Sequence, residues 1–565
     1  MLKRCLFTVA LVVCARSANT APVPESTTTA PFLVARIQPI EKLFDDAKFL
    51  AGKFGKVDAS KEFEAQVLKQ IGAGSLADTG VDPKKPSAVY VFLKGDIADS
   101  IAVAMLPVSN QKAILEFVGK FEVKAEKLEE GFYSLAMPEK TPVYVRFAND
   151  YAYVTSVNKE AVSVAAIVPP SRVFTATETA VIAVSIRPDQ IPESIRKVAL
   201  AELSDYLKSL VEDDEDEAAA ELNKTEGKFV ESWLDSIAQG GKELTLKANF
   251  DRKSGELAFD FGMTVKTGSK LATDIAAIKA GSSLFTKMMA GGAINFATNA
   301  RTDTEYGKEL AQLLPESGAD QLMDWLDLDD TDEKVKANAV EFCKSLMPSL
   351  ETGELDVALS IRPLGERYVM LLGSRVKDGK KVDAAFRKLV STMSEEKKKK
   401  ITLDAQTAGE IKLHRIESDE GDTRTEKVYG KPFYWLAIRD DAAIIGYGTD
   451  AEKAVAETIG QLELKPAPNV QLDVSVKHLQ VFCDAIMPDI YPKLKDAFGD
   501  GADKVRIFVG NLEGGSQFKA TMSMSLQTMV GISMAVGEMF DGLGIPVMPA
   551  VPPAPQPAQP PPPPA

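Results

Sequence analysis

The sequence predicts an α+β fold: two tandem duplicated lobes, each of antiparallel sheets packed with helices, and then a disordered Pro-rich C-terminal tail. Three observations predict it. Short segments alternate apolar and polar residues, the mark of half-buried strands. They come in adjacent pairs joined by short polar turns such as Asp251-Arg-Lys-Ser-Gly255, which makes the pairs antiparallel. One series of strands and helices also runs through the chain twice.

The first series has strands at residues 88–93 and 101–106, then a helix at 111–121. Strands follow at 130–136, 142–147 and 151–155, and Asn158 opens the next helix. The second series has strands at 355–361 and 368–374, then a helix at 381–390. Strands follow at 409–414, 432–437 and 442–447, and Asp450 stands at the next helix start. Short polar side chains such as these cap free backbone N–H groups. Each series continues with a strand (180–186; 470–476), a helical region and paired strands (243–250 and 257–265; 505–509 and 518–524). Each ends in an apolar helix, at 271–278 and 526–540.

Two local matches accompany this order. Phe342-Cys343-Lys-Ser-Leu-Met-Pro348 matches Phe482-Cys483-Asp-Ala-Ile-Met-Pro488, and Ser185-Ile-Arg-Pro188 recurs at Ser360-Ile-Arg-Pro363. The reading is a signal peptide at 1–21, a linker at 22–31, lobes at 32–286 and 287–542, and a tail at 543–565. A smaller unit of strand, helices, two strands and helix recurs within each half, so that the stretch from Ala293 overlays that from Ala180. Duplicated lobes commonly enclose a groove. The tail ends in Pro560 to Pro564; proline fixes φ and lacks an amide donor, so an extended polyproline II spacer is expected.

At 565 residues and 45% hydrophobic content the chain can bury a large core. Its net charge of -15 leaves no basic footprint for nucleic acid. The one basic run, Lys397 to Lys400, follows Glu395 and Glu396 and reads as a solvated loop. Lys3 and Arg4, an apolar stretch and then small residues form a secretory signal pattern, so an exported protein is expected, periplasmic or extracellular. Val13 spoils the lipoprotein box before Cys14, which argues against anchoring there. No transmembrane segment is expected. Cys343 and Cys483 are read as buried thiols, with a bridge between them as the alternative.

The catalytic signatures fail one by one. His414, at the end of a strand, and His478, just after one, lack partners at ligand spacing and read as structural. Asp78-Thr79-Gly80 has no second copy, which an aspartic-protease dyad requires. Ser109-x-x-Lys112, Ser156-x-x-Lys159 and Lys266-Thr-Gly268 lack a linking Ser-Asp-Asn, and Lys112 and Lys159 open amphipathic helices. The tract from Asp327 has Asp332 where an EF-hand loop needs glycine and Asn338 where it needs Glu. Its acidic counterpart at 212–217 reads as a solvated loop as well. Gly72-x-Gly74 follows a helix, so it is no nucleotide loop. Tyr144, Phe147, Tyr434, Trp435 and the methionines at 522, 524, 529, 534 and 539 are core fillers or the lining of an apolar groove. No catalytic, metal or cofactor residue is assigned.

The strand–helix–strand series with Gly131-Phe-Tyr133, Pro142-Val-Tyr144 and Pro432-Phe-Tyr434 turns, together with the Pro-rich tail, resembles uncharacterised secreted α+β repeat proteins of planctomycete-type bacteria. The resemblance implies export and brings no activity. The expected function is non-enzymatic: binding of a protein, an envelope component or an apolar ligand such as a lipid through an open groove. The competing expectation is a secreted hydrolase with two inward-facing acids about 5 to 10 Å apart.

Overall fold

A computed structural model describes residues 30–528 except 55–64, 66, 70–71, 96–98, 122, 137–141, 176–177, 199–200, 203–216, 254, 278–280, 302–303, 327, 329–331, 418–422, 432, 479, 482–503, 512–516 and 526–527. The signal, most of the linker, Cys483, the tract at 212–216, nearly all of the helix expected at 526–540 and the tail lie outside these residues.

The strands of the first half are β1 (Leu33–Ile37), β2 (Ser87–Phe92), β3 (Ile101–Pro107), β4 (Lys124–Glu129), β5 (Phe132–Ala136), β6 (Val143–Ala148), β7 (Tyr151–Thr155), β8 (Ile182–Ile186), β9 (Gly241–Asp251) and β10 (Glu256–Val265). After the two-residue β11 (Ser282–Ser283) come β12 (Ile294–Arg301), β13 (Glu354–Leu364), β14 (Arg367–Arg375), β15 (Ile401–Ala408), β16 (Ile411–Glu417), β17 (Phe433–Arg439) and β18 (Ala442–Tyr447). The two-residue β19 (Lys465–Pro466) pairs only with β11, and β20 (Val470–Ser475), β21 (Lys504–Asn511) and β22 (Gln517–Ser525) complete the set.

Helix and strand are nearly balanced, and 20 of the strands join one antiparallel sheet. Pair by pair, its order is β4-β5-β6-β7-β3-β2-β1-β8-β9-β10-β22-β21-β20-β12-β13-β14-β18-β17-β16-β15. The order mirrors itself about the β10–β22 pair: β9 stands opposite β21, β1 opposite β12, and β4 opposite β15. Separate sheets were expected in each lobe, with a groove between the lobes. At that place β10 and β22 instead pair edge to edge.

A finer pattern lies inside this order. A strand, a helical stretch and a hairpin occur as β1–β2–β3, β8–β9–β10 and β12–β13–β14. The strands recur as β20–β21–β22. The helices between are α1 (Ile40–Phe54), α3 (Glu217–Gly240), α5 (Thr304–Trp325) and α6 (Glu333–Leu346). A helix also follows each of the first three hairpins: α2 (Gln111–Gly119), α4 (Lys270–Ala277) and α7 (Gly379–Thr392). The four-strand meanders β4–β7 and β15–β18 are inserted after β3 and β14.

This placement corrects the landmarks. Ser185 is on β8 and Ser360 on β13, which are not mirror positions, so that match does not follow the mirrored strand order. Cys343 lies in α6, between β12 and β13, so the match at 342–348 and 482–488 falls within one half, between two of the finer units. Helices were expected on one face only, yet both faces are covered. The helix α9 (Ala451–Gly460) and residues 284–289 pack on the face of Leu371, Ile444 and Ala437. On the other face α7 and α6 cover Ile416, Leu436 and Ala443.

Local chemistry sets the ends of these elements. Asn110, Asn158 and Asp378 accept an N–H at helix or turn starts. Asp332 caps α6 by accepting from Lys334 and Val335, so the calcium-loop look-alike is a helix start from Asp332 onward. Lys397 to Lys400 are not a loop: Ser394 caps a short helix, α8 (Glu395–Lys400). Lys159 opens a four-residue 3-10 turn rather than an amphipathic helix.

The segment joining the halves is strapped to the sheet. The Ser283 hydroxyl donates to Asp356 Oδ1 at 2.7 Å, and the Leu284 N–H donates to Oδ2 at 2.9 Å. Burial pushes the Asp356 carboxyl up from its usual range. Phe285 is fully buried on Gly373, where an added Cβ would lie 2.5 Å from the ring. Gly373→Ala should therefore overpack this seat and cost about 1–3 kcal/mol, read as a lower urea midpoint with an unchanged slope.

Candidate functional site

Side chains alternate along a strand, so one face of the sheet can be followed from strand to strand by register. From β8 to β20 one row on one face reads Val184, Leu246, Phe261, Ala520, Val509 and Val470. The next row reads Ile182, Ala248, Phe259, Met522, Ile507 and Leu472. It continues over β12 to β14 as Phe296, Leu359 and Leu372. No charged residue interrupts either row. At about 4.8 Å per strand, the second row has a contour of about 38 Å from Ile182 to Leu372.

These rows are open. Leu246 is 50% exposed, Ile182 45%, Leu106 and Leu372 41%, and Phe261 and Phe296 37%. All six sit on this face; the other large exposed apolar side chains among the described residues are scattered. Soluble monomers rarely expose contiguous apolar patches beyond a few hundred Å², and larger ones mark binding surfaces.

Helices wall the rows on β9 and β10. On one side α1 sets Phe49 edge-on to Phe250, with ring centroids 5.7 Å apart. On the other, Trp233 and Ile237 of α3 pack with Leu244 and Met263. Leu246, Ala248, Phe259 and Phe261 lie between, so the rows form the floor of a trough running across the strands.

The opposite face of the same strands is polar. Asp260 accepts from Asn249 of β9 at 2.8 Å and from the Thr521 hydroxyl of β22 at 2.7 Å, and it pairs with Lys519 at 3.1 Å. Lys247 pairs with Glu178 at 2.9 Å.

The other place where chemistry-bearing groups meet is His414. It lies inside β16 rather than at a strand end, and it is buried. Its Nδ1 accepts the Asp404 N–H at 3.1 Å, so the neutral ring carries its proton on Nε2, 2.9 Å from Asp383 Oδ1. Burial holds the His414 pKa below its ordinary value, against the pull of Asp383. Arg387 donates from Nε to Asp383 at 2.8 Å and from Nη2 to Asp404 at 2.5 Å. Together with Lys412, Arg387 holds the Asp404 carboxyl down to about 2. Asp383 and Asp404 thus share one guanidinium. An acid locked as its anion is no proton donor, and a histidine with both nitrogens engaged is a pin.

The remaining candidates resolve individually. His478 Nδ1 lies 2.8 Å from the Tyr368 hydroxyl. Asp78 accepts from the Ser75 N–H inside a 3-10 turn. The Ser109 hydroxyl donates to the Gly80 carbonyl at 3.0 Å, and Lys266 Nζ donates to the Gln239 carbonyl at 2.9 Å. Burial pushes the Cys343 thiol, which is free, up to about 11. Trp435 is buried, and Tyr434 and Tyr144 pack on Tyr447 and Phe132. Among the described residues no group of three or more His, Cys, Asp or Glu is placed to hold a metal ion, and no helix is long and apolar enough to cross a membrane.

Asp404 has φ +54°, inside a register shift of the β15–β16 pair. Asp404→Gly and Asp404→Ala both lose the Arg387 contact, but only alanine also carries left-handed strain. The alanine variant should be the less stable by about 1 kcal/mol in urea unfolding.

Compared with protein-family models, curated proteins and solved structures, the chain matches none.

Proposed function

We propose that this protein is an exported, non-enzymatic carrier that holds an elongated, uncharged apolar ligand, a lipid acyl chain, in the trough over β8 to β14. The observation that carries the reading is the pair of uncharged rows whose large side chains stay open to solvent, walled by helices over β9 and β10. A preformed apolar concavity with polar groups kept to its margins suits a hydrocarbon ligand. Each buried CH₂ contributes about 0.8 kcal/mol, so affinity should rise with chain length. The N-terminal signal pattern supports export.

We also propose that the chain is a tandem duplication with halves near 32–286 and 287–542. What supports this is the mirrored strand order about β10–β22. Three occurrences of strand, helical stretch and hairpin, and a fourth of the strands alone, support an older duplication within each half.

The test is binding of a fluorescent long-chain fatty acid, together with mass spectrometry of what co-purifies. Phe261→Glu and Phe296→Glu place a charge on the trough floor, and each should weaken binding at least tenfold, about 1.4 kcal/mol. Lys247→Glu, on the opposite face, should leave binding unchanged. Equal affinity in all three variants would contradict the reading.

A further inference from the structure

We propose that His414 is a proton-operated pin for β15, the terminal strand of the sheet: in the neutral state it holds the strand in a bulged form, and acid releases it. Among the described residues β15 pairs with β16 alone, and its register shifts between Thr402 and Gln406. Bulges blunt the open edge of a sheet, which otherwise templates pairing with another strand. The bulge places Asp404 at φ +54°, a conformation that costs about 1–2 kcal/mol for a residue other than glycine. Something must hold it there, and its backbone N–H is held by His414 Nδ1 at 3.1 Å.

The groups facing the ring determine what protonation does. From α7, Asp383 accepts a hydrogen bond from the Nε2–H, Arg387 bridges Asp383 to Asp404, and the Phe386 ring lies 5.4 Å away. From β17 comes the uncharged Leu436, opposite His414 in register. From β15 comes Asp404, and from β16 comes Lys412, bonded to Asp404 Oδ2 at 3.2 Å.

A second proton can enter only at Nδ1. There it turns the acceptor of the Asp404 N–H into a donor, so that two N–H groups oppose each other. The nearest new acceptor is Asp404 Oδ1, 3.8 Å from Nδ1, and that oxygen is already held by Arg387 at 2.5 Å. Reaching it requires the Asp404 backbone to leave its bulged conformation. The imidazolium thus favours a second arrangement of the strand, with the carboxylate in place of the backbone N–H.

The sign follows from the direction of the shift. A histidine whose folded pKa lies below its unfolded value of about 6.5 contributes stability that is complete above that pH. The contribution is lost as pH falls through the folded value. The release therefore belongs below about pH 6.5.

Hydrogen-exchange mass spectrometry of the full chain at pH 7.5 and 5.0, corrected for intrinsic exchange, reads this directly. Peptides covering 401–417 should lose at least tenfold protection at pH 5.0, while those covering 354–375 keep theirs. His414→Gln supplies an acceptor that does not titrate, and in that variant protection at 401–417 should not depend on pH. Wild-type protection that is equal at both pH values would overturn the proposal. So would acid loss spread evenly over both regions, or the same acid loss in the glutamine variant. The wild-type comparison decides even if the variant does not fold.

Discussion

The structure depends on one strand pair. β10 and β22 lie about 260 residues apart in the chain, yet they pair over nine positions from Glu256 with Ser525 to Thr264 with Gln517. Asp260 stitches the seam on the polar face, where it gathers Asn249 from β9 and Thr521 and Lys519 from β22. On the other face Phe261 meets Ala520 and Phe259 meets Met522, so the apolar rows cross the seam unbroken. Without this pair there would be two ten-stranded sheets, each with a bare apolar edge. With it there is one sheet and one trough. The outer ends of that sheet are kept unattractive to further strands. β4 is exposed at every residue and charged at most of them, and β15 is bulged.

The two faces do different work along the sheet. Toward its ends both faces are covered, by α2 and α7 on the apolar side and by residues 161–173 and α9 on the other. These regions supply the closed cores. Over β9 and β10 the opposite face is polar and half-exposed, and the apolar face is only walled. An apolar face left open in the middle costs solvation, and its uniformity over nine strands is hard to explain by drift. That is the argument for a ligand.

Much of the fold was legible in local pattern. The strand at 442–447 is found at those residues, and 151–155 likewise, because alternation and flanking turns fix short half-buried strands. The Asn149-Asp150 turn before Tyr151 has positive φ at both residues, as a two-residue hairpin requires. β4 escaped notice because Lys124-Ala-Glu-Lys-Leu-Glu129 has no apolar alternation to read. The run at 397–400 was misread because four lysines suggest a loop, whereas Ser394 and the two glutamates before them form a helix start. The trough was not legible at all. Each strand shows its own apolar face, but which faces align depends on the β10–β22 register, and that is a long-range fact. His414 is buried on Asp383 and Asp404, which come from elements 31 and 10 residues away, and nothing in their spacing marks them as its partners.

The central claim is that the two halves share one sheet through the β10–β22 seam. A disulfide needs Cβ atoms about 3.5–4.5 Å apart, near the spacing of directly opposed residues and well short of the diagonal one. Ala258→Cys with Ser523→Cys places cysteines at directly opposed positions, and Ala258→Cys with Thr521→Cys places them diagonally. Under mild oxidation the first pair should crosslink within the monomer, as located by peptide mass mapping, and the second should crosslink far less. Equal crosslinking of both pairs, or none within the monomer, would contradict the seam and with it the continuous trough.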